Sequence, residues 1–318
     1  MRLGIMVGSD RDRPRAERLP GLLEHARLAE EQGFTSYWFP QIPGYLDALT
    51  AVALMGQATS RMHFGTAVMP VQTRHPLAMA QQALTTAAAC SGRFTLGIGA
   101  SHHWIVEDQL GLTYERPAAL VRDYVEVLNA AMRAPGSVDV DNRTFHIHSP
   151  MDVTDGDHTS VVLAALGPVM LRLAGEATAG TVLWMADERA VAEHVVPHIT
   201  KAADAAGRPS PKVVACVPVA LCPKDEVDRA RQIASAMLGH AEMSPNYLRL
   251  LERGDAEDVG DVMAAGDESA IEGRLRRFRD AGVTDLAARV VPLGKTPEER
   301  AESGRRTQEF VGVLCPEI

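Results

Sequence analysis

Eight short apolar runs, each followed by a segment with helical spacing, constrain the fold of this 318-residue chain more than any other feature. The runs begin at Leu3, Thr35, Met62, Phe94, Val161, Thr181, Lys212 and Asp285. They are continuously apolar rather than alternating, which is typical of parallel strands that helices cover on both faces. Segments such as "EEQGFTS" and "RDAGVTD" join a charged helix end, a glycine and the next strand, as right-handed βαβ units require.

This order of elements predicts an α/β protein with a single closed (β/α)8 barrel, a TIM barrel, over residues 1–318. An open, doubly wound parallel sheet is the alternative. Two stretches do not fit the repeating unit, and we interpret both as insertions. One covers residues 135–158, after the fourth strand, and contains a hairpin that turns at Asp141-Asn142; the other covers residues 239–268, after the seventh strand.

Composition and charge narrow the choice of partners. The net charge is −9 and the basic residues are scattered, so we expect no nucleic acid and no membrane surface as a partner. The sequence contains no apolar run of bilayer-spanning length and no signal peptide, which predicts a cytoplasmic protein. Its four cysteines lie far apart or in apolar runs, as free core thiols do.

The active site of such a barrel lies at the C-terminal ends of its strands, so the end of the fourth strand is informative. The stretch "RFTLGIGASHHWIVED" has only two glycines of a dinucleotide-binding fingerprint, which is a weak signal. Gly97 and Gly99 either let a flat ligand approach the backbone or serve the turn alone. His102 follows the strand and is expected to face the pocket. It adjoins His103, and neighbouring side chains rarely bind one ion, so no metal site is predicted.

Two later junctions favour an anion. Gly167-Pro168 follows a strand directly and opens a helix, whose first backbone N–H groups are free to bind a negative charge. Arg189 lies in the first turn of the next helix, where a cation opposes the helix dipole. This placement is explained if Arg189 faces a phosphate; a solvated surface arginine is the alternative. Together the two junctions predict a phosphate-bearing cofactor at one side of the barrel mouth.

The same junctions resemble those of the luciferase-like monooxygenase superfamily, and in particular its deazaflavin-dependent branch, which includes methylenetetrahydromethanopterin reductase. The resemblance is carried by "GFTSYWFPQ", by "LDALTAVALMGQATSRMHFGTAVMPVQTRHPLAMAQQALTTAAACSGRFTLGIGASH" and by "AALGPVMLRLAGEATAGTVLWMA". It implies a homodimeric oxidoreductase that transfers a hydride between coenzyme F420 and a small organic substrate. An FMN-dependent monooxygenase supplied by a separate reductase and a non-catalytic flavin-binding protein are the alternatives.

The resemblance also implies residue roles. It implies a non-prolyl cis peptide bond at Ala67-Val68, behind the cofactor ring. The full set of implied cofactor contacts is Thr66, Ala67, Val68, Gly99, Ser101, Gly167, Ala186, Asp187 and Arg189. Related enzymes often carry an acidic residue and a histidine after the second strand, where this chain has Gln41 and Ile42. Gln41 can hydrogen-bond but cannot act as a general base near neutral pH. Gln41 and His102 are therefore the predicted catalytic residues, and either His102 or water supplies the proton.

Overall fold

The structure is a computed structural model that describes residues 1–8, 10–133, 136–153, 159–239 and 244–315. Its strands are β1 (Arg2–Met6), β2 (Ser36–Phe39), β3 (His63–Thr66), β4 (Met69–Pro70), β5 (Phe94–Gly99), β6 (Gly136–Asp141), β7 (His146–Met151), β8 (Ser160–Ala164), β9 (Gly180–Trp184), β10 (Lys212–Leu221), β11 (Ala264–Gly266) and β12 (Asp285–Val290). Its helices are α1 (Arg18–Glu31), α2 (Ala48–Ala58), α3 (Pro76–Ala89), α4 (Pro117–Ala131), α5 (Pro168–Ala177), α6 (Glu188–Ala190), α7 (Val196–Ala205), α8 (Val227–Leu238), α9 (Pro245–Leu251), α10 (Val259–Val262), α11 (Glu268–Asp280) and α12 (Pro297–Val313).

Eight parallel strands close into a barrel in the order β1, β2, β3, β5, β8, β9, β10 and β12, and β12 pairs again with β1. Ile5 on β1, for example, lies opposite Tyr37 on β2 and Ala288 on β12. The closed ring confirms the predicted (β/α)8 barrel and excludes the open sheet. Each of the eight apolar runs contains one barrel strand, and the third run also contains the short β4.

Both faces of the barrel wall are buried, which explains why the strands are continuously apolar. Inside the barrel, the buried side chains are Trp38, Val162, Val182, Val214, Cys216 and Ala287. The alternate residues, such as Leu3, Ile5 and Leu286, face outward into the larger core beneath the helices. All four cysteines are free. In the described part of the chain, no helix combines the length and apolar character needed to cross a bilayer.

Extra elements occur at two points of the barrel. An antiparallel hairpin of β6 and β7 lies between α4 and β8; Asp141 pairs with His146, so the turn comprises residues 142–145. Helices α9 and α10 and strand β11 lie between α8 and α11, and β11 extends the sheet beyond β10. The predicted ends of the first insertion, residues 135 and 158, and residues 240–243 of the second lie outside the described residues.

The N-terminal end of the barrel is held together by an arginine. Arg93 immediately precedes β5, and its guanidinium donates to the carbonyl oxygens of Met62 at 2.7 Å, Gly56 at 2.9 Å and Thr59 at 3.2 Å. These carbonyls belong to the end of α2 and to the loop that leads into β3. The arginine therefore satisfies backbone acceptors that no secondary structure satisfies.

Candidate active site

The third barrel strand is interrupted at the barrel mouth. Gly65 on β3 pairs with Thr95 on β5, and Met69 on β4 pairs with Ile98. Three residues, 66–68, thus lie between the two pairs on this strand, and two residues, 96–97, lie between them on β5. The third strand therefore contains one extra residue, as in a β-bulge, and residues 66–68 depart from the regular pairing with β5.

Thr66 maintains the contact between the strands at this bulge. Its Oγ1 accepts a hydrogen bond from the Gly97 N–H at 2.9 Å and donates one to the Gly97 carbonyl at 2.8 Å. A side chain thus replaces the missing ladder bonds, and Thr66 is completely buried. The peptide bond Ala67-Val68 is cis, at the position that the family resemblance implied.

Small residues surround the bulge. Gly97 has no room for a side chain, because a Cβ atom there would lie 1.9 Å from the carbonyl oxygen of Thr66. A Cβ at Gly99 would lie 2.9 Å from Cβ of Ala164 and 3.0 Å from Cγ2 of Val68. Both glycines are therefore required by packing against the bulge, not only by a turn. Together with Ala67, these glycines leave a surface without large side chains at the barrel mouth. Such a surface suits a flat ring.

The end of β5 continues into a loop with unusual backbone geometry. Ser101 has a φ of 59°, in the left-handed region, and its carbonyl accepts a hydrogen bond from the Tyr114 hydroxyl at 3.1 Å. The Ala100 carbonyl accepts from Nε2 of Gln72 at 2.7 Å. The Oε1 atom of Gln72 is buried and has no hydrogen-bond partner among the described residues. It is therefore a buried acceptor that the described protein groups leave unsatisfied.

His102 connects the mouth to the second insertion. Its Nδ1 lies 2.8 Å from Oγ of Ser244, the buried residue that precedes α9. Its ring stacks on Tyr247, with centroids 5.5 Å apart and an interplanar angle of 21°. Burial lowers the pKa of His102, and the neighbouring charge of His103 lowers it further. The imidazole is therefore mainly neutral at pH 7, with one N–H donor.

Like Oε1 of Gln72, Nε1 of Trp104 is a buried polar atom that no described residue pairs, and it lies beside His102. The ring of Trp104 is 5.6 Å from the His102 ring, and its Nε1 has no hydrogen-bond partner among the residues that the structure describes. A buried indole N–H normally finds an acceptor. Trp104 Nε1 and Gln72 Oε1 thus leave one donor and one acceptor available at the ends of the third and fourth barrel strands.

Gln41 lies at the edge of the mouth, just after β2. Its Oε1 accepts a hydrogen bond from the Ala48 N–H at the start of α2, at 2.9 Å. Gln41 also lines a cavity of about 160 Å³, together with Pro43, Pro70, Thr73, Arg74 and Leu110. Because its carbonyl oxygen is occupied, the amide NH₂ is the part of Gln41 that remains for a substrate.

The predicted anion site at Gly167 is open. Gly167 is the N-cap of α5, no side chain caps this helix, and a Cβ at Gly167 would meet nothing within 4 Å. The preceding carbonyl, that of Leu166, accepts a hydrogen bond from His194 Nε2 at 2.8 Å. The loop is therefore anchored, while the first N–H groups of α5 remain free of a capping side chain.

The loop from Ala186 to Arg189 is occupied by protein contacts. The Asp187 carboxylate accepts from the backbone N–H groups of Ala190 at 2.8 Å, Asp255 at 2.5 Å and Ala256 at 2.9 Å. Asp187 therefore joins this loop to the second insertion, and its carboxylate is not available to a ligand.

Arg189 is also engaged. Its side chain is 51% exposed and forms ion pairs with Asp255 at 2.8 Å and with Glu193 at 3.1 Å. The hydrogen bond that Arg189 donates to Asp255, followed by the one that it donates to Glu193, raises the pKa of Arg189. A phosphate would have to displace these carboxylates, so the role predicted for Arg189 remains a prediction, and Gly167 offers the more accessible anion site.

The sequence did not single out four residues of this site: Gln72, Trp104, Ser244 and Arg289. Gln72 and Trp104 lie close to predicted strand ends, but their unpaired atoms depend on packing. Arg289, at the end of β12, is an arginine within an apolar strand, and this was a signal that the sequence offered. Ser244 contacts His102 across 142 positions of the chain, which no local pattern indicates.

Comparison with known proteins adds an evolutionary context. The model of the luciferase-like monooxygenase family matches residues 1–312. The 5,10-methylenetetrahydromethanopterin reductase of Methanolobus tindarius is 26% identical over 286 residues, 87% of this chain and 83% of that protein. The F420-dependent glucose-6-phosphate dehydrogenase of Kineococcus radiotolerans is 25% identical over 291 residues, 85% of this chain and 83% of the relative. The crystal structure of monooxygenase RslO1 from Streptomyces bottropensis has a TM-score of 0.78 at 18% identity, and the match covers 99% of each chain.

Proposed function

Since the chain belongs to the luciferase-like monooxygenase family, we propose that it is an oxidoreductase that transfers a hydride between coenzyme F420 and a small organic substrate. The observation that carries the proposal is the protruding, small-residue surface at Ala67 and Val68, on the same rim as the uncapped helix at Gly167. The first suits a flat ring and the second a phosphate. The relatives matched over more than four-fifths of the chain favour F420 over FMN.

The residues of the mouth fit such a cofactor. The ring would lie against Ala67 and Val68, and Gly99 on the neighbouring strand has no side chain that would obstruct it. The buried acceptor of Gln72 and the buried donor of Trp104 would gain partners from the polar edge of the ring. The N–H groups at the start of α5, after Gly167, would bind the phosphate.

The bound cofactor supplies the hydride chemistry, and the protein supplies orientation and a proton. The amide of Gln41 orients the substrate but does not ionise near neutral pH. His102 is the titratable side chain of the predicted catalytic pair. Its contact with Ser244 fixes the orientation of the ring, and the protonated imidazolium is the form that can donate a proton. We assign to His102 the proton that accompanies hydride transfer.

Titration of the cofactor-free protein with F420 and with FMN tests the proposal. We expect micromolar binding of F420 and at least about tenfold weaker binding of FMN, a difference of ~1.4 kcal/mol. The variant Gly167→Asp places a carboxylate at the proposed phosphate site and should weaken F420 binding. Gly273→Asp, in α11, where a Cβ atom would meet nothing closer than 4.0 Å, is the matched control. Tight binding of FMN alone, or of neither cofactor, would contradict the proposal.

An FMN-dependent monooxygenase is the second candidate, because the likeness to RslO1 covers the whole barrel. The two candidates differ in their reaction with oxygen. Reduced F420 is expected to persist in air in the presence of the protein, whereas a monooxygenase would consume oxygen when supplied with reduced FMN and substrate. An oxygen-electrode measurement with each reduced cofactor separates them.

A further inference from the structure

An arginine to which no described residue offers an acceptor lies in the barrel mouth. Arg289 is the penultimate residue of β12, and Ala287, two residues earlier, belongs to the barrel interior. Because side chains alternate along a strand, Arg289 is on the interior side too, one step closer to the C-terminal end. Its guanidinium lies against Gly8, which follows β1: a Cβ atom at Gly8 would be 2.7 Å from Nη2.

The charge of Arg289 is not balanced within the described part of the chain. The side chain is partly buried and makes no hydrogen bond or ion pair with any described residue. Burial lowers its pKa, and the phenol of Tyr37 opposes that shift. The nearest acidic residue in sequence to Gly8, Asp10, is paired with Arg13. A partly buried cation with no partner among the described residues is unfavourable for folding, and a bound anion would reduce this cost.

We propose that Arg289 binds the carboxylate of an anionic organic substrate. The inference rests on the proposed function, because it places a substrate in the same mouth. One guanidinium fork matches one carboxylate in geometry and balances its single charge, whereas a phosphate monoester carries about −1.5 to −2 charges at pH 7. In the ring of strands, β1 and β2 separate β12 from β3, so the carboxylate would lie across the mouth from the bulge at Ala67. The substrate would then extend from Arg289 towards the cofactor ring.

Binding of benzoate and benzamide to the cofactor-free protein tests this inference by calorimetry. These probes have the same shape and differ in charge. We expect the wild type to bind benzoate more tightly than benzamide, and Arg289→Met to lose about 10- to 100-fold in benzoate affinity, with little change for benzamide. Arg289→Lys should lie between the two. Arg27→Gln, which removes an exposed arginine of α1, is the matched control and should bind benzoate normally.

The thermal stability of Arg289→Met and one further variant, Gly8→Ala, distinguish binding from a structural role. Arg289→Met should unfold at a higher temperature than the wild type without ligand, because it removes an unpaired buried charge; a merely structural arginine would give the opposite sign. Gly8→Ala should displace the guanidinium and weaken benzoate binding while the fold is kept, because only the flexible end of Arg289 must move.

F420 titration separates the failure of this inference from that of the proposed function. Arg289→Met should bind F420 within about twofold of the wild type, a difference of ~0.4 kcal/mol. Equal benzoate binding by wild type and Arg289→Met, or no binding by either, overturns the inference and leaves the cofactor assignment intact. Loss of F420 binding in Arg289→Met also overturns it, because the arginine would then serve the cofactor.

Discussion

The two ends of the barrel each contain an arginine, and the two side chains differ in their hydrogen bonding. Arg93, at the N-terminal end, donates to three backbone carbonyls that would otherwise have no partner. Arg289, at the C-terminal end, makes no hydrogen bond or ion pair with the described residues. Arg93 therefore stabilises the fold, whereas we infer that the charge of Arg289 lowers the free energy of unfolding. This difference supports the C-terminal end of the barrel as the end that binds a ligand.

Two histidines repeat the contrast. His63 begins β3 at the N-terminal end, and its Nε2 lies 2.9 Å from Oγ1 of Thr95 on the neighbouring strand. His102 follows β5 at the mouth, and its partner is Ser244 in the second insertion. Burial lowers the pKa of both imidazoles. His63 is bound within the regular wall of the barrel. His102 is held by the second insertion, and inserted loops of this kind vary more than the strands that they connect.

The largest expected effect is that of Arg93→Met. The substitution leaves three carbonyls at the end of α2 and in the loop before β3 without their donor, so we expect a loss of about 3 kcal/mol or more in the free energy of unfolding. Urea unfolding followed by circular dichroism measures it. Arg289→Met, measured in parallel, should change stability in the opposite direction. Equal losses in the two variants would remove the contrast between the ends.

Thr66→Val should have the next largest effect. Thr66 is the last residue of β3, where the regular strand pairing ends at the barrel mouth. The variant keeps the shape but removes both hydrogen bonds to Gly97, so we expect about 2 kcal/mol of destabilisation. F420 affinity should also fall, since the bulge loses its tie to β5. Thr85→Val, on the exposed face of α3, is the control. A variant that is destabilised but binds F420 normally would show that the bulge does not position the ring.

These two substitutions also show what the sequence predicted. The eight strands were predictable because burial on both faces makes each of them continuously apolar, and Thr66 lies in one of those runs. The bulge was not predictable from periodicity, because one extra residue shifts the register without changing composition. Its position came only from the family resemblance, which implied the cis bond at Ala67-Val68.

Side-chain pairing was the least predictable property. Arg189 was expected to face a phosphate, yet Glu193 lies four residues later on the same helical segment, a spacing that brings the two side chains together. The pairing with Asp255 comes from the second insertion and has no local signal. Long-range contacts of this kind depend on how the inserted helices pack against the barrel, which composition and periodicity do not encode.

The pH dependence of stability should reveal His63. Burial, followed by the charges of Lys212 and Arg2, lowers its pKa from 6.5 to about 4. The unfolded chain therefore binds a proton that the folded chain does not, and stability falls as the pH decreases from 6.5 towards 4, by at most ~1.4 kcal/mol per pH unit for one group. His63→Asn should reduce this slope, measured by urea unfolding at several pH values. His148→Asn, an exposed histidine of the hairpin, should leave it unchanged.

The effect expected at His102 concerns rate rather than stability. If the imidazole donates the proton, only its protonated fraction is active, and burial keeps that fraction low at pH 7. The wild-type kcat should then rise as the pH falls from 8 to 6, by up to about tenfold per pH unit, ~1.4 kcal/mol in the barrier. His102→Gln should give a flat profile at a lower rate. Ser244→Ala keeps the imidazole and should keep the slope. A slope that persists in His102→Gln would assign the proton to water and leave His102 the single task of holding α9 at the mouth.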